Sequence, residues 1–145
     1  MVAEGNAKEV RTLGDLRKEG LRISLGEKSA SIGKHTWAVL EEVGLRSVIA
    51  PNVVVTKPTV NYVVEDVATG AVDAAIAWDA VARDYDGVEW IAVAEFSQRA
   101  RRADLGVLKT SGNQERALHF SRYVVAEGGG RVVFDEMGFA RPESR

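Results

Sequence analysis

Residues 21–33, LRISLGEKSASIG, constrain the fold of this chain more than any other stretch. Leu21, Ile23 and Leu25 alternate with polar residues, and this period of two predicts a strand over 21–25. A loop of small residues follows and leads into an apolar-periodic segment, which predicts a helix. A strand that enters a helix in this way directs free backbone N–H groups and the positive end of the helix dipole at one place, which favours an anion.

The same strand–helix alternation continues along the chain. The apolar spacing predicts a helix over 32–43, a strand at 53–56, a second helix that starts at Pro58-Thr59, and an apolar strand at 74–78. The order β-α-β-α-β with short connections predicts right-handed crossovers between parallel strands. We therefore expect an α/β fold, a three-layer sandwich lobe with a mostly parallel sheet and helices on both faces.

The remainder of the chain extends this core. Two further strands are predicted at 89–94 and 105–109, and a helix is predicted from about residue 114. We expect the whole chain to form one lobe. Its predicted parts are a polar lead-in (1–11), the βαβαβ core with the further strands (12–110) and a C-terminal helical part (111–145), together spanning 1–145.

Composition and motifs exclude several classes of function. The net charge of −2 argues against general nucleic-acid binding, and the absence of cysteine excludes disulfides and thiolate metal sites. No apolar run reaches 18 residues, and the first residues carry no signal-peptide pattern, so no membrane insertion is expected. His35 and His119 lack metal-ligand spacing, and no GxSxG, HExxH or P-loop motif occurs. We expect a non-enzyme with no catalytic residue, no metal and no cofactor.

The candidate site lies where the parallel strands end. In such a sheet ligands bind beyond the carboxyl ends of the strands, where the loops at 26–32, 57–60 and 78–79 meet. Ser29 or Ser31 is expected to cap the first helix and Thr59 the second, while Trp78 follows the third strand. This arrangement suits a small oxyanion held by N–H groups. The alternative is that Ser31 and Thr59 only cap helices, a role worth about 1 kcal/mol each.

Several stretches resemble one protein family. Residues 10–16 (VRTLGDL) and 20–26 (GLRISLG) resemble the opening of the second lobe in periplasmic molybdate-binding proteins. Residues 29–33 are similar to the ligand loop of that family, and 68–76 are similar to its TGxxDAAI stretch. Residues 106–109, the helix predicted over 114–126 and residues 138–139 resemble its C-terminal part, so the likeness covers nearly the whole chain.

The resemblance implies a fold and a function. These proteins are the substrate-binding components of molybdate or tungstate ABC transporters and have the type II periplasmic-binding-protein fold. The anion would be held by the backbone N–H groups of Ile32 and Val60 and by the side chain of Trp78. With the capping residues, the predicted ligand-binding set is Ser29, Ser31, Ile32, Thr59, Val60 and Trp78. The implied partners are a small oxyanion and an ABC-transporter permease, and the implied location of the parent protein is periplasmic or extracellular.

The resemblance also implies that only one lobe is present. Members of the family bind their ligand in a cleft between two lobes, and the ligand loops of the first lobe are missing here. A lone lobe presents half a site, so we expect weak oxyanion binding. The competing hypothesis is a small-molecule-sensing effector or interaction domain of a regulatory protein, because the same lobe architecture occurs in transcription regulators.

A homodimer is expected from two features. The strand that enters the lobe is reduced to a few residues around Val2 and Ala3, which would leave a neighbouring strand edge unpaired. The C-terminal part also carries more apolar residues than a small lobe can cover, namely Leu118, Val124, Val132, Val133 and Phe134.

Overall fold

The computed structural model describes residues 1–83 and 85–139, which belong to two compact units, 1–100 and 101–145. The strands of the first unit are β1 (Val2–Ala3), β2 (Ile23–Gly26), β3 (Val53–Lys57), β4 (Ala74–Ala75) and β5 (Val88–Glu89). Its helices are α1 (Ser31–Glu42), α2 (Arg46–Ile49), α3 (Val60–Ala68), α4 (Asp79–Ala82) and α5 (Ala94–Ser97), with 3₁₀ turns at Leu13–Arg17 and Ala50–Asn52.

The five strands form one sheet in the order β3-β2-β4-β1-β5. Strand β2 pairs in parallel with both β3 and β4, while β1 pairs antiparallel with β4 and β5. The predicted α/β fold is confirmed, and the sheet is a mixed one in which a parallel centre continues into an antiparallel side. The parallel pairing brings the carboxyl ends of β2, β3 and β4 to one edge of the sheet.

Helices cover both faces of this sheet because the side chains of β2 alternate. Ile23 and Leu25 are fully buried in one cluster with Leu40 of α1 and Ile49 of α2. Ser24 lies between them and points to the other face, where its hydroxyl donates to Asp66 of α3. A second apolar cluster on that face contains Val63 and Val67 of α3 and Ala75 of β4. The three layers expected from the sequence are therefore present.

An ion pair fixes the entry to β2 against the connection between α3 and β4. The Arg22 guanidinium donates to the Asp73 carboxylate at 3.0 and 3.2 Å and to the carbonyl of Ala71 at 2.8 Å. The backbone N–H of Arg22 donates to the same carboxylate at 2.8 Å, and the Asp73 N–H donates back to the Arg22 carbonyl. These bonds explain the aspartate in the stretch that resembles TGxxDAAI.

Some predicted element boundaries are wrong. The strand expected at 89–94 is present only as β5, and α5 begins at residue 94. The strand expected at 105–109 is absent, because residues 101–108 belong to no helix or strand. A segment with an alternating pattern forms a strand only when it hydrogen-bonds to a neighbouring strand. In the described part of the chain, no strand pairs with this segment. The ladder of β4 also ends at Ala75, three residues before the predicted end.

The premise of an unpaired edge beside Val2 is also wrong. Val2 pairs with Ala74 on one side and Glu89 on the other, so β1 lies inside the sheet. The nitrogen of Met1 donates to the carbonyl of Ala75 at 2.8 Å and extends this pairing. The hydrogen bonds of β1 are therefore made within the first unit.

The second unit contains the helices α6 (Gln114–Val125) and α7 (Arg131–Glu136). The side chain of Asn113 accepts the N–H of Arg116 and caps α6, and the rings of Phe134 and Phe139 meet edge to face at 5.4 Å. None of the described residues 101–139 is buried. Over residues 1–83 and 85–139, no helix has both the length and the apolar character that a membrane span requires.

We predict that Asp73→Asn destabilises the fold in a pH-dependent way. Hydrogen bonds from Arg22 lower the pKa of Asp73, so its contribution is present above about pH 4 and is lost as the pH falls through the folded-state pKa. Urea unfolding at pH 7 should show a loss of about 1–2 kcal/mol relative to wild type, and the difference should shrink at pH 3. Glu41→Gln breaks an exposed pair with Arg46 and serves as the near-neutral control. A difference that is equal at both pH values would contradict this assignment.

Candidate functional site

The loop between β2 and α1 does not use its serines as the sequence predicted. Ala30 occupies the N-cap position of α1, and no side chain caps this end of the helix. Ser31 is the first helical residue and is exposed, while the Ser29 hydroxyl donates to Glu27 Oε2 at 3.3 Å. The expectation of a serine N-cap is therefore wrong. Ser29 lies one residue before the N-cap, where its hydroxyl contacts Glu27, and Ser31 lies one residue after it. The first N–H groups of α1 receive no side-chain acceptor from the N-cap.

Gly26 and Gly33 allow the first turn of α1 to lie close to the end of β2. A Cβ on Gly33 would overlap the backbone carbonyls of Gly26 and Glu27. A Cβ on Gly26 would lie 2.5 Å from a side-chain carbon of Ile32 and 2.8 Å from the nitrogen of Gly33. The first turn of α1 can therefore pack directly against the end of β2 only because both residues lack side chains.

The loops that follow β2 and β3 are joined by a hydrogen bond. The N–H of Glu27 donates to the carbonyl of Lys57 at 2.8 Å, one residue beyond the β2 ladder. The Lys57 ammonium pairs with Asp66 of α3 at 3.2 Å, and Asp66 also accepts the fully buried Ser24 hydroxyl at 2.8 Å. These contacts tie the end of β3 and the body of α3 to the centre of the sheet. The starts of α1 and α3 therefore follow two strands that end side by side.

Thr59 and Val60 lie at the start of α3. Thr59 is the N-cap residue, as the sequence predicted, but its side chain makes no capping hydrogen bond. It is exposed, and the half-buried Val60 is the first helical residue. Ile32 is the second residue of α1 and is only 3% exposed. The N–H groups of Ile32 and Val60 belong to first turns, where an α-helix supplies no carbonyl partner of its own.

Trp78 approaches α1 from the third loop. It is half-buried, occupies the N-cap position of α4, and stacks on His35 of α1 with ring centroids 5.4 Å apart. His35 also meets Phe96 of α5 edge to face at 5.8 Å. Asp79, the first residue of α4, is exposed. The third loop is thus held against the same helix whose first turn follows β2.

Two of the three lysines near this edge contact neighbouring side chains, and the third, Lys34, is exposed on α1. The Lys57 charge is paired with Asp66, and the Lys28 ammonium lies 5.5 Å from the centre of the Trp37 ring. The carboxylate of Glu27 lies beside Ser29 and opposes an anion. Across the described residues 1–83 and 85–139, no group of three or more histidine or acidic side chains is placed to hold a metal ion.

The structure therefore brings the predicted loops to one edge of the sheet, while the role of the six residues in ligand binding remains a prediction. Sequence reasoning missed two neighbours, Glu27 and His35. Glu27 precedes Ser29 by two residues, a spacing that permits the observed contact. No sequence signal links His35 to Trp78, because their contact joins elements more than 40 positions apart in the chain.

Comparison with known proteins identifies the class. A family model described as bacterial extracellular solute-binding protein matches residues 1–140, and the chain belongs to this family. The resemblance seen in the sequence is thus confirmed at the level of the family. This is a family of binding proteins and not one of enzymes, and its members hold a solute instead of a resident cofactor.

The chain is also similar to individual proteins. The chain is 27% identical to the molybdate-binding protein ModA of Mycobacterium bovis and to that of Mycobacterium tuberculosis, over 145 residues in each case. The match covers 98% of this chain and 53% of the relative, so the chain spans about half the length of the curated relatives it matches. No solved structure matches the chain at a significant level.

We predict that Gly33→Ala is strongly destabilising. The added methyl group would meet backbone carbonyls that cannot move without displacing the end of β2, so a loss of about 3 kcal/mol, the upper end for overpacking, is expected. Gly14→Ala is the matched control, because its Cβ would lie 3.7 Å from the nearest atom, the Thr12 hydroxyl oxygen, in ordinary contact. Denaturant unfolding monitored by circular dichroism measures both variants. Equal stability of the two would show that the loop after β2 yields easily.

Proposed function

We propose that this chain is the oxyanion-binding lobe of an ABC-transporter solute-binding protein that works in the periplasm or outside the cell. The solute class is a tetrahedral oxyanion of the molybdate or tungstate type. One observation carries the proposal. The Glu27–Lys57 hydrogen bond joins two adjacent strand ends, and each strand leads into the uncapped N-terminus of a helix of 12 or 9 residues. Family membership supports the solute-binding role, and the name of the ModA relatives supports the choice of oxyanion.

The proposed donors are of two kinds. The backbone N–H groups of Ile32 and Val60 and the indole N–H of Trp78 would donate to the anion oxygens. The hydroxyls of Ser31 and Thr59 make no capping hydrogen bond, so both are suited to add donors. The single hydroxyl proton of Ser29 is donated to Glu27, and Ser29 would have to leave that carboxylate to donate to the anion. Such a site performs no covalent chemistry. It would bind the oxyanion and release it to the permease of the transporter.

The isolated chain should bind weakly. A hydrogen bond to a charged group contributes about 1.5–3 kcal/mol, and the resemblance implies that the donors of the first lobe are missing. The loss of two or three such bonds lowers affinity by several powers of ten. We therefore expect dissociation constants above the micromolar range for this chain alone.

The decisive experiment removes one proposed donor and leaves the fold unchanged. Val60 is the first residue of α3, the position in a helix that tolerates proline best. Thr59, which would precede the proline, already has the extended conformation that proline requires, with φ −129° and ψ 153°. Val60→Pro removes the N–H, while Val60→Ala keeps it and serves as the matched control.

We predict that molybdate titration followed by ¹⁵N NMR shifts the Ile32 and Val60 amides of the wild-type chain. Val60→Pro should lower the affinity by at least about tenfold, since the lost bond is worth 1.5–3 kcal/mol, while Val60→Ala should stay within about threefold of wild type. If neither amide shifts at millimolar molybdate, tungstate or sulfate, the proposed site is wrong. Equal affinities for the proline and alanine variants would exclude the Val60 N–H as a donor.

We also propose that the isolated chain forms a homodimer through its second unit. Ten large apolar side chains of this unit are more than a third exposed, namely Leu105, Leu108, Leu118, Phe120, Tyr123, Val125, Val132, Val133, Met137 and Phe139. We propose that a second copy of the chain covers this surface. The support comes from this apolar surface alone, since β1 is paired on both sides.

We predict that light scattering at micromolar concentration gives about twice the 15.7 kDa mass of one chain. The double variant Leu108→Ser, Phe120→Ser should shift the mass towards the monomer, because both side chains are more than half exposed. Val54→Ser changes an equally exposed residue of the first unit and should leave the mass unchanged. A monomeric wild-type chain would refute the dimer.

A further inference from the structure

An aromatic cluster lies beside the proposed site. It consists of His35 of α1, Trp78 before α4 and Phe96 of α5. The His35 and Trp78 rings lie 5.4 Å apart and are inclined by 22°, which is a stacked arrangement. The Phe96 ring meets His35 edge to face, at 5.8 Å and 68°. His35 is thus the shared member of two favourable aromatic pairs.

The stack matters because Trp78 lies beyond the end of the β4 ladder. The β4 ladder ends at Ala75, and residues 76–78 belong to no strand or helix. Trp78 then caps a helix of only four residues. The sheet therefore does not determine the direction of the indole ring. The side chain stacked on the face of this ring is His35 of α1.

The position of His35 on α1 connects the stack to the first turn of that helix. Residues three apart lie on the same side of a helix, and side chains lean towards its N-terminus. His35 follows Ile32 by three positions and therefore lies on the same side of α1 as Ile32. The imidazole ring thus stacks on one residue of the proposed site and belongs to the helix whose first turn carries another.

We propose that His35 is the positioning residue of the oxyanion site. Its ring holds the Trp78 indole in the orientation from which the indole N–H donates to the anion, and His35 itself does not contact the anion. This inference rests on the proposed function, since it assumes an oxyanion at the edge formed by the first turns of α1 and α3. In this role His35 acts through the face of its aromatic ring. Metal binding or acid–base chemistry would instead use its ring nitrogens.

Two substitutions distinguish the contribution of an aromatic face at position 35 from that of the imidazole nitrogens. His35→Ala removes the stack, whereas His35→Phe keeps an aromatic face of similar size against Trp78. His119→Ala changes the other histidine, which is exposed on α6 in the second unit, and serves as the control. The indole N–H resonance of Trp78 in a ¹⁵N NMR spectrum, assigned with Trp78→Phe, reports the environment of the ring without any ligand.

We predict that His35→Ala shifts the Trp78 indole resonance and weakens molybdate binding by up to about tenfold, since an aromatic pair is worth about 0.5–1.5 kcal/mol. His35→Phe should restore the affinity to within about threefold of wild type, and His119→Ala should change neither quantity.

Three outcomes would overturn the inference. Wild-type affinity in His35→Ala would show that the stack does not position a donor. A defect in His35→Phe as large as that in His35→Ala, with equal thermal stability, would show that the ring face is not what matters. Failure of the wild-type chain to shift the Ile32 and Val60 amides with molybdate would overturn the proposed function and this inference together, whereas the first two outcomes overturn this inference alone.

Discussion

The close approach between Gly26 and Gly33 is the constraint on which the candidate site depends. Because neither residue has a side chain, the first turn of α1 packs directly against the end of β2. At the same point the Glu27 N–H donates to the Lys57 carbonyl and continues the parallel pairing one residue beyond β2. A larger residue at either glycine would separate the helix from the strand and move its first N–H groups away from the edge where β3 and β4 end.

The central architecture could be predicted from the sequence because it is encoded locally. Period-two and period-3.6 patterns place β2, α1, β3 and α3 to within one or two residues, and a parallel sheet follows from their order. The N-cap of α1 was missed because Ala30 has no capping side chain and the competing Ser29 binds Glu27. The 105–109 segment and the pairing of Val2 were missed for another reason. A strand forms by pairing with segments that are distant in the chain, and a local pattern does not identify those segments.

The charges around the site also require the structure. The sequence places Lys28, Lys34 and Lys57 near the loops and predicts that N–H groups hold the anion. In the fold, Lys57 is neutralised by Asp66 and Lys28 lies over the Trp37 ring. Lys34 is exposed on α1, so the fixed N–H dipoles at the two helix starts act together with the charges of Lys28 and Lys34. Such dipoles need no reorganisation when an anion arrives, and their direction can favour an anion of one shape over others.

The two units differ in how their apolar residues are used. Among the described residues of the first unit, 18 hydrophobic residues are buried, whereas no described residue of 101–139 is buried. Hydrophobic burial is the main favourable term in folding, so helices that bury so little gain little from their own packing. The ModA relatives are almost twice as long as the region that matches this chain, and in a protein of that length further polypeptide would compete with a second copy for such a surface. A segment that covers the apolar helices of the second unit should therefore abolish the proposed dimer.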